Sequence, residues 1–283
     1  LAEFVYFCVT SETFRGPAIA QMTGTGGLQR VPKRYVEQFR IPLPPLEVQK
    51  EIVAEIEGYQ KVIDGARTVL DNYRPHIPIH PDWPMVPIKE VASVESGFGF
   101  PLDYQGKVDE EIPFLKVSDM NLPGNESRIV SWNNTVSRGI LRELKGKAFP
   151  AGTVIFPKIG AAIATNKKRI LTRDSTFDNN VMGVVPNETR LLPDYLHTYL
   201  LAFDLSQWAS EAQPPSMRKT VVEDHAIPLP PLATQQAIVA EIQAEQALVA
   251  ANRELVARFS RKIQATLARV WGVEAEPTPA EEA

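Results

Sequence analysis

The chain has 283 residues, with 30 lysines and arginines against 34 aspartates and glutamates, a formal net charge of −4, and 44% hydrophobic residues. This composition excludes a fibrous or disordered chain, and the length predicts one or two domains. The total charge carries no global attraction to nucleic acid or membrane, and the single cysteine, Cys8, excludes a disulfide framework and any multi-cysteine zinc site. No apolar run approaches the roughly 20 residues of a membrane span. No basic-then-apolar leader opens the chain. A cytoplasmic, membrane-free location is expected.

Residues 1–45 begin at Leu1 inside an ordered element, so the start of that element is expected to be missing. They end on Ile41-Pro42-Leu43-Pro44-Pro45-Leu46. Residues 46–82 follow as a long helix and linker, because proline suits a first helical turn and cannot continue one. The apolar positions Val48, Ile52, Ile56, Tyr59, Ile63, Ala66, Leu70 and Tyr73 recur every three or four residues, which is a heptad seam. Pro75 is expected to end this helix.

Residues 83–231 read as one globular module. Short β-rich runs are predicted at 91–95, 112–117, 128–132, 153–156, 161–164, 168–171 and 181–186, punctuated by Gly, Pro, Asn and Asp. Helices are predicted at 137–144 and 192–211. Within the module, residues 138–173 carry nine basic side chains against one acid, Glu143. Clustered cations are the footprint of phosphate binding, and a solvated face is the alternative. Lys158 follows an apolar strand that could hold it rigidly. Asn166, Lys167, Lys168 and Arg169 follow a run of small residues, Gly160 to Ala164, which lets another backbone approach closely. Asn and Arg are the side chains that pair with adenine and guanine edges, so Asn166, Asn179, Asn180 and Arg218 are candidates for base contact. Lys116 and Ser118 close a strand, where a plain turn competes with DNA contact. Gly97-Phe98-Gly99-Phe100 lacks the spacing of a dinucleotide loop and reads as a turn with a packing aromatic.

Residues 232–272 form a second long helix ending at Gly272, with Ile238, Ile242, Val249, Val256 and Phe259 on its seam. Three seam positions, Glu245, Asn252 and Thr266, are polar, through either partial exposure or control of register. Residues 273–283 are acidic, rich in Pro and Ala, and expected to be a disordered tail.

The chain repeats itself. At a constant offset of 186, residues 41–73 match 227–259 at 14 of 33 positions, including Gln49 with Gln235 and Glu55 with Glu241. Leu1 to Tyr6 resembles Leu192 to His197 more loosely. The repeating unit is a module, a proline-rich exit and a helix, with residues 1–45 as the tail of a first module. The fold class expected is α+β: a mixed α/β module flanked by two long helices pairing as an antiparallel coiled coil. The seam is expected to use Ile52, Ile56, Tyr59, Ile63 and Leu70 against Ile238, Ile242, Val249, Val256 and Phe259.

Catalytic signatures are lacking. The four histidines have no metal-ligand spacing, and neither a Walker loop nor a G-x-S-x-G elbow occurs. Neither a metal nor a cofactor is expected.

The duplicated I-P-L-P-P-L-x-x-Q-x-x-I-V-x-x-I motif leading into a long helix resembles the specificity subunit of type I restriction–modification enzymes. Trp83 with Ile88, Gly97 to Phe100, Ile112 to Lys116 and Val154 to Gly160 stand in the order of a target-recognition domain of that family. The resemblance implies a non-catalytic subunit whose recognition domain reads one half of a bipartite double-stranded DNA target. It also implies that the helices space the half-sites and dock methyltransferase subunits, which carry the S-adenosylmethionine chemistry, and that a motor-nuclease subunit joins for restriction. Lys158, Lys167, Lys168, Arg169 and Arg173 are then expected to hold phosphates, and Ser118, Asn166, Asn179, Asn180 and Arg218 to meet base edges, with Lys116 and Lys219 beside them. Most of a first recognition domain is missing from this pattern. Either a longer parent was cut, or two copies pair through their helices as a homodimer. The alternative function is the recognition end of a fused restriction–methyltransferase enzyme.

Overall fold

A computed structural model describes residues 1–24 and 27–272; the expected tail, 273–283, lies outside the described residues. In chain order the elements are α1 (Ala2–Thr10), α2 (Glu12–Ala20), α3 (Lys33–Gln38), α4 (Leu46–Asn72), β1 (Met85–Pro87), β2 (Ala92–Ser96), β3 (Ile112–Leu115), β4 (Arg128–Ile129), β5 (Thr135–Val136) and α5 (Arg138–Glu143). They continue with β6 (Val154–Pro157), β7 (Arg169–Leu171), β8 (Thr176–Phe177), β9 (Val181–Pro186), α6 (Pro193–Ala202), α7 (Lys219–Asp224), β10 (Ala226–Pro228) and α8 (Leu232–Trp271). The chain divides into two compact units, residues 74–246 and residues 1–73 with the chain from Ala247 onward. No described helix is long and apolar enough to cross a membrane.

In the unit of residues 74–246, a five-stranded mixed sheet has the order β2-β9-β6-β7-β4. Side chains alternate across a strand, and β6 is buried on both faces. Val154 and Phe156 join one core with Ile170, Met182, Val184, Tyr195, Leu196 and Trp208. Ile155 points the other way and packs with Leu115, Met120, Leu171, Phe177 and Val181. A three-stranded sheet, β5-β3-β8, and a β1-β10 ribbon complete the unit. Gly183 leaves room for the Phe177 ring, since a Cβ there would lie 2.7 Å from Phe177 Cζ.

Two expected elements differ. Residues 161–164 are not a strand but lie within a 3₁₀ turn, Gly160–Thr165, bounded by the positive φ of Gly160 and of Asn166. The helix expected over 192–211 stops at Ala202 and resumes as a 3₁₀ turn, Leu205–Trp208, because Asp204 caps the second piece by accepting from Ser206 N at 2.9 Å.

The start of α8 belongs to this unit. Ile238 and Ile242, expected on the seam between the long helices, are instead buried with Val239 in the core that contains Tyr195 and Leu196. Gln235 fixes the entry: its amide nitrogen donates to the Arg190 and Pro230 carbonyls at 2.8 and 2.9 Å, and its oxygen accepts from Leu192 N at 2.9 Å.

In the unit containing residues 1–73, α4 and the later part of α8 run antiparallel. Tyr59 meets Phe259 with ring centroids 5.6 Å apart, whereas Glu55, earlier in α4, meets Thr266 and Arg269, later in α8. Ile52, Val53 and Ile56 pack with Leu267, Ile263, Phe4 and Cys8. Ile63 is buried, and Leu70, Val249, Val256 and Phe259 are half-buried. Buried Thr266 donates to Glu55 Oε1 at 3.0 Å, so this polar seam residue ties the register. Asn252 instead donates to Leu248 O of its own helix. At the start of α4, Gln49 donates to Pro44 O at 2.8 Å and accepts from the Leu1 nitrogen at 2.7 Å.

Candidate nucleic-acid interface

Four separate stretches of chain meet where the buried strands end. The Asp178 amide donates to Leu115 O at 2.9 Å, which sets Lys116, the residue after β3, beside the turn between β8 and β9. Lys158 follows β6; its amide donates to Asn180 O and its carbonyl accepts from Met217 N, both at 2.9 Å. Lys116, Lys158, Asn179, Asn180 and the Met217-Arg218 segment therefore lie at one end of the sheet. Lys116 and Lys158 directly follow strands sunk in the core, Asn179 and Asn180 form the turn between β8 and β9, and Met217-Arg218 is pinned by the bond to Lys158, so the tips are rigidly held.

Asp178 is the centre of this group. Its side chain is only 7% exposed. Its carboxylate accepts from Asn180 N at 3.0 Å and from Asn180 Nδ2 at 3.1 Å. Burial raises its carboxyl above the usual aspartate value, against the pull of the Asn180 hydrogen bonds and the Lys116 charge. Burial also lowers the half-buried Lys158 ammonium, and the charge of Asp178 opposes this. Lys116 Nζ donates to Gln105 Oε1 and lies 5.6 Å from the centre of the Phe100 ring, which stacks on Phe114 at 3.6 Å. The aromatic packing expected for Gly97 to Phe100 is thus present. Gly97 is required there, because a Cβ would fall 2.0 Å from Asp178 O.

The 3₁₀ turn Val117–Asn121 extends the surface. Ser118 is exposed on it, and Asn121 Oδ1 accepts from Lys167 Nζ. Arg169 is tied to the same turn through Met120 O at 3.0 Å, with its other terminal nitrogen on Lys168 O. Arg218 and Lys219 are exposed at the start of α7, with Lys219 3.5 Å from Glu223.

The remaining expected residues have other work. Lys168 is 1% exposed, and its ammonium donates to Phe203 O at 2.6 Å and Asn166 Oδ1 at 2.7 Å. Burial lowers it to about 8. Asn166 Oδ1 also accepts from Leu205 N at 2.9 Å. Lys168 and Asn166 therefore clamp the Gly160–Thr165 turn to the chain after α6, and an amine buried this way cannot reach a phosphate. Arg173 lies at the opposite end of β3, where it donates to Glu111 O at 3.0 Å and stacks 5.6 Å from the Trp132 ring. Arg138 pairs with Glu111 and Lys147 with Glu95. The basic run of 138–173 is thus not one patch, because the chain doubles back through two strands within it.

Sequence reading missed Asp178, Gln105 and Asn121, and it gave Phe100 a packing role without its approach to Lys116. Asp178 had a signal: an Asp two residues before an Asn that bonds back to it is an Asx turn. Phe100 and Gln105 had none, since their approach to Lys116 depends on the fold. Among the described residues, no group of three or more His, Cys, Asp or Glu side chains could hold a metal ion.

Residues 81–253 match the family described as type I restriction modification DNA specificity domain. The chain is 22% identical over 279 residues to the type I restriction enzyme MjaVIII specificity subunit of Methanocaldococcus jannaschii, an alignment covering 86% of this chain and 64% of that protein. Three solved structures share its fold. The HsdS subunit of Thermoanaerobacter tengcongensis gives a TM-score of 0.53 at 21% identity, over 95% of this chain and 69% of that one. The type I restriction-modification S subunit of M. genitalium gives 0.54 at 11% identity, over 98% and 73%. A chain from a structural study of type I R-M complex assembly and conformational transition gives 0.62 at 21% identity, over 95% and 70%. The chain thus spans less than two thirds of the length of its curated relative, about 64%.

Proposed function

The chain belongs to the type I restriction modification DNA specificity family, and from that premise we propose that residues 74–246 read one half of a bipartite double-stranded DNA target through the strand-end surface. The observation that carries this reading is the convergence of Lys116, Lys158, Asn179, Asn180 and the Arg218 segment at one end of the sheet. Lys158, Lys167 and Lys219 hold phosphates and set orientation; Ser118, Asn179, Asn180 and Arg218 meet base edges in the major groove. Arg169 supports the turn that carries Ser118.

The long helices α4 and α8 dock methyltransferase subunits and set the spacing between half-sites, and a motor-nuclease subunit joins the same assembly in the cytoplasm. This chain supplies recognition and leaves catalysis to those partners. A homodimer would have to use faces of α4 and α8 outside their shared seam, where Val62, Val69, Leu248 and Leu255 are exposed. Light scattering of the purified chain distinguishes a monomer from such a dimer.

Anisotropy of a labelled mixed-sequence duplex across salt concentrations tests the surface. Lys158→Ala and Lys167→Ala should each weaken binding to every sequence and reduce the salt slope by about 1. Slopes equal to wild type would overturn the assignment.

A further inference from the structure

The Asp178–Asn180 pair fixes what the strand-end surface offers to DNA. A carboxylate can only accept hydrogen bonds, whereas a side-chain amide has two donor hydrogens and one acceptor oxygen. Asn180 Nδ2 lies 3.1 Å from Asp178 Oδ2, and its backbone amide lies 3.0 Å from Asp178 Oδ1. The amide must therefore turn its nitrogen inward. Its oxygen and its second amide hydrogen remain for another partner. Asp178 itself is buried, with its backbone bonded to Leu115 and Val181, so it cannot follow a ligand outward.

The neighbouring charges favour a base over a phosphate at this point. Asp178 is buried directly behind Asn180, and the fully buried Asp119 adds its negative charge to the same site against the opposing charge of Lys116. A phosphate placed over Asn180 would face these carboxylates, whereas the neutral edge of a base would not. Lys116 and Lys158 stand to either side, where a backbone on each flank of that base would pass.

We propose that Asp178 is a positioning residue that locks Asn180 into an acceptor-plus-donor face, complementary to the N6 amino group and N7 of an adenine in the major groove. This rests on the DNA-reading function above and adds the base edge and the residue that selects it. With the amide locked, guanine is rejected, because its O6 would meet the Asn180 oxygen, acceptor against acceptor.

Selection of the full chain against a randomised duplex library, followed by sequencing, tests the proposal. Wild type should enrich sequences with adenine at one position sensitive to Asn180. Asn180→Ala should lose about tenfold discrimination at that position and leave the others unchanged. Asp178→Asn should lose the preference at the same position, since its oxygen stays on the Asn180 backbone amide and its NH2 then faces the Asn180 side chain, which can no longer turn its nitrogen inward. Retained adenine preference in both variants would overturn the inference. If Asp178→Asn fails to fold in a thermal melt, Asp178→Ser decides: its hydroxyl can still accept from the Asn180 backbone amide but leaves no carboxylate to hold the side-chain nitrogen inward, so the adenine preference should relax, and an unchanged preference would overturn the inference. A wild type that enriches no sequence would instead overturn the DNA-reading function itself.

Discussion

Gln49 and Gln235, 186 positions apart, hold equivalent groups in their separate units: each donates to the carbonyl five residues before it and accepts from the N-cap nitrogen of a short helix, Leu1 for α1 and Leu192 for α6. The duplication is therefore one of hydrogen bonding as well as of letters. It extends to α3 and α7, which occupy matching positions and carry matching ion pairs, Lys33 with Glu37 and Lys219 with Glu223.

Gln235 is fully buried and makes one bond more than Gln49, to Arg190 O. Gln235→Ala removes the partner of three backbone groups, one of them fully buried, and should cost roughly 2 kcal/mol. Gln49→Ala strands two and should cost less. Urea denaturation of both variants checks the order, which equal losses would contradict.

The Glu55 carboxylate receives Thr266 at 3.0 Å, Arg269 at 2.7 Å and Tyr59 at 3.1 Å. Burial alone would raise its carboxyl, but these three partners together hold it below the ordinary glutamate value. A depressed carboxyl stabilises the fold above its unfolded value, and that contribution is lost as pH falls through the folded one. Thr266→Val and Glu55→Gln should couple by about 1 kcal/mol in a double-mutant cycle at neutral pH. The coupling should shrink in acid; a coupling of zero at pH 7 would remove the register tie.

His197 is buried, with Nε2 3.2 Å from Lys168 O, and burial pushes its imidazole down to about 4. The unfolded chain takes up this proton near 6.5, so the stability contribution is complete above that pH and is lost as pH falls toward 4. The loss amounts to about 3 kcal/mol at most. Urea midpoints measured between pH 7 and 4.5 should fall less steeply for His197→Gln than for wild type.

Gly97→Ala would set a Cβ against two backbone oxygens, 2.0 Å from Asp178 O and 2.3 Å from Phe177 O, whereas a Cβ at Gly99 meets nothing within 4 Å. The first substitution should cost about 3 kcal/mol and weaken DNA binding by displacing the Asp178 turn; the second should be near neutral. Thermal melts of the two variants make the comparison.

Periodic and duplicated features were legible from the letters. The heptad positions Ile52, Ile56 and Ile63 are buried, the long helices end close to Pro75 and Gly272, and Gly97 to Phe100 is a packed turn. The errors came where tertiary contacts decide. Ile238 and Ile242 keep the heptad spacing but face the module, because the first turns of α8 are held by Gln235. Lys168 lies in a basic run like its neighbours, yet in the extended chain entering β7 it turns inward to Phe203 O while Lys167 and Arg169 reach the 117–121 turn. Local charge density could not separate these three fates.

Because the strands behind the proposed surface are already sealed on both sides, the exposed Ser118, Asn179 and Arg218, which lie in turns or at a helix start, contribute little to keeping the sheet together. Selection can therefore exchange them almost freely, and new target preferences can arise without weakening the scaffold.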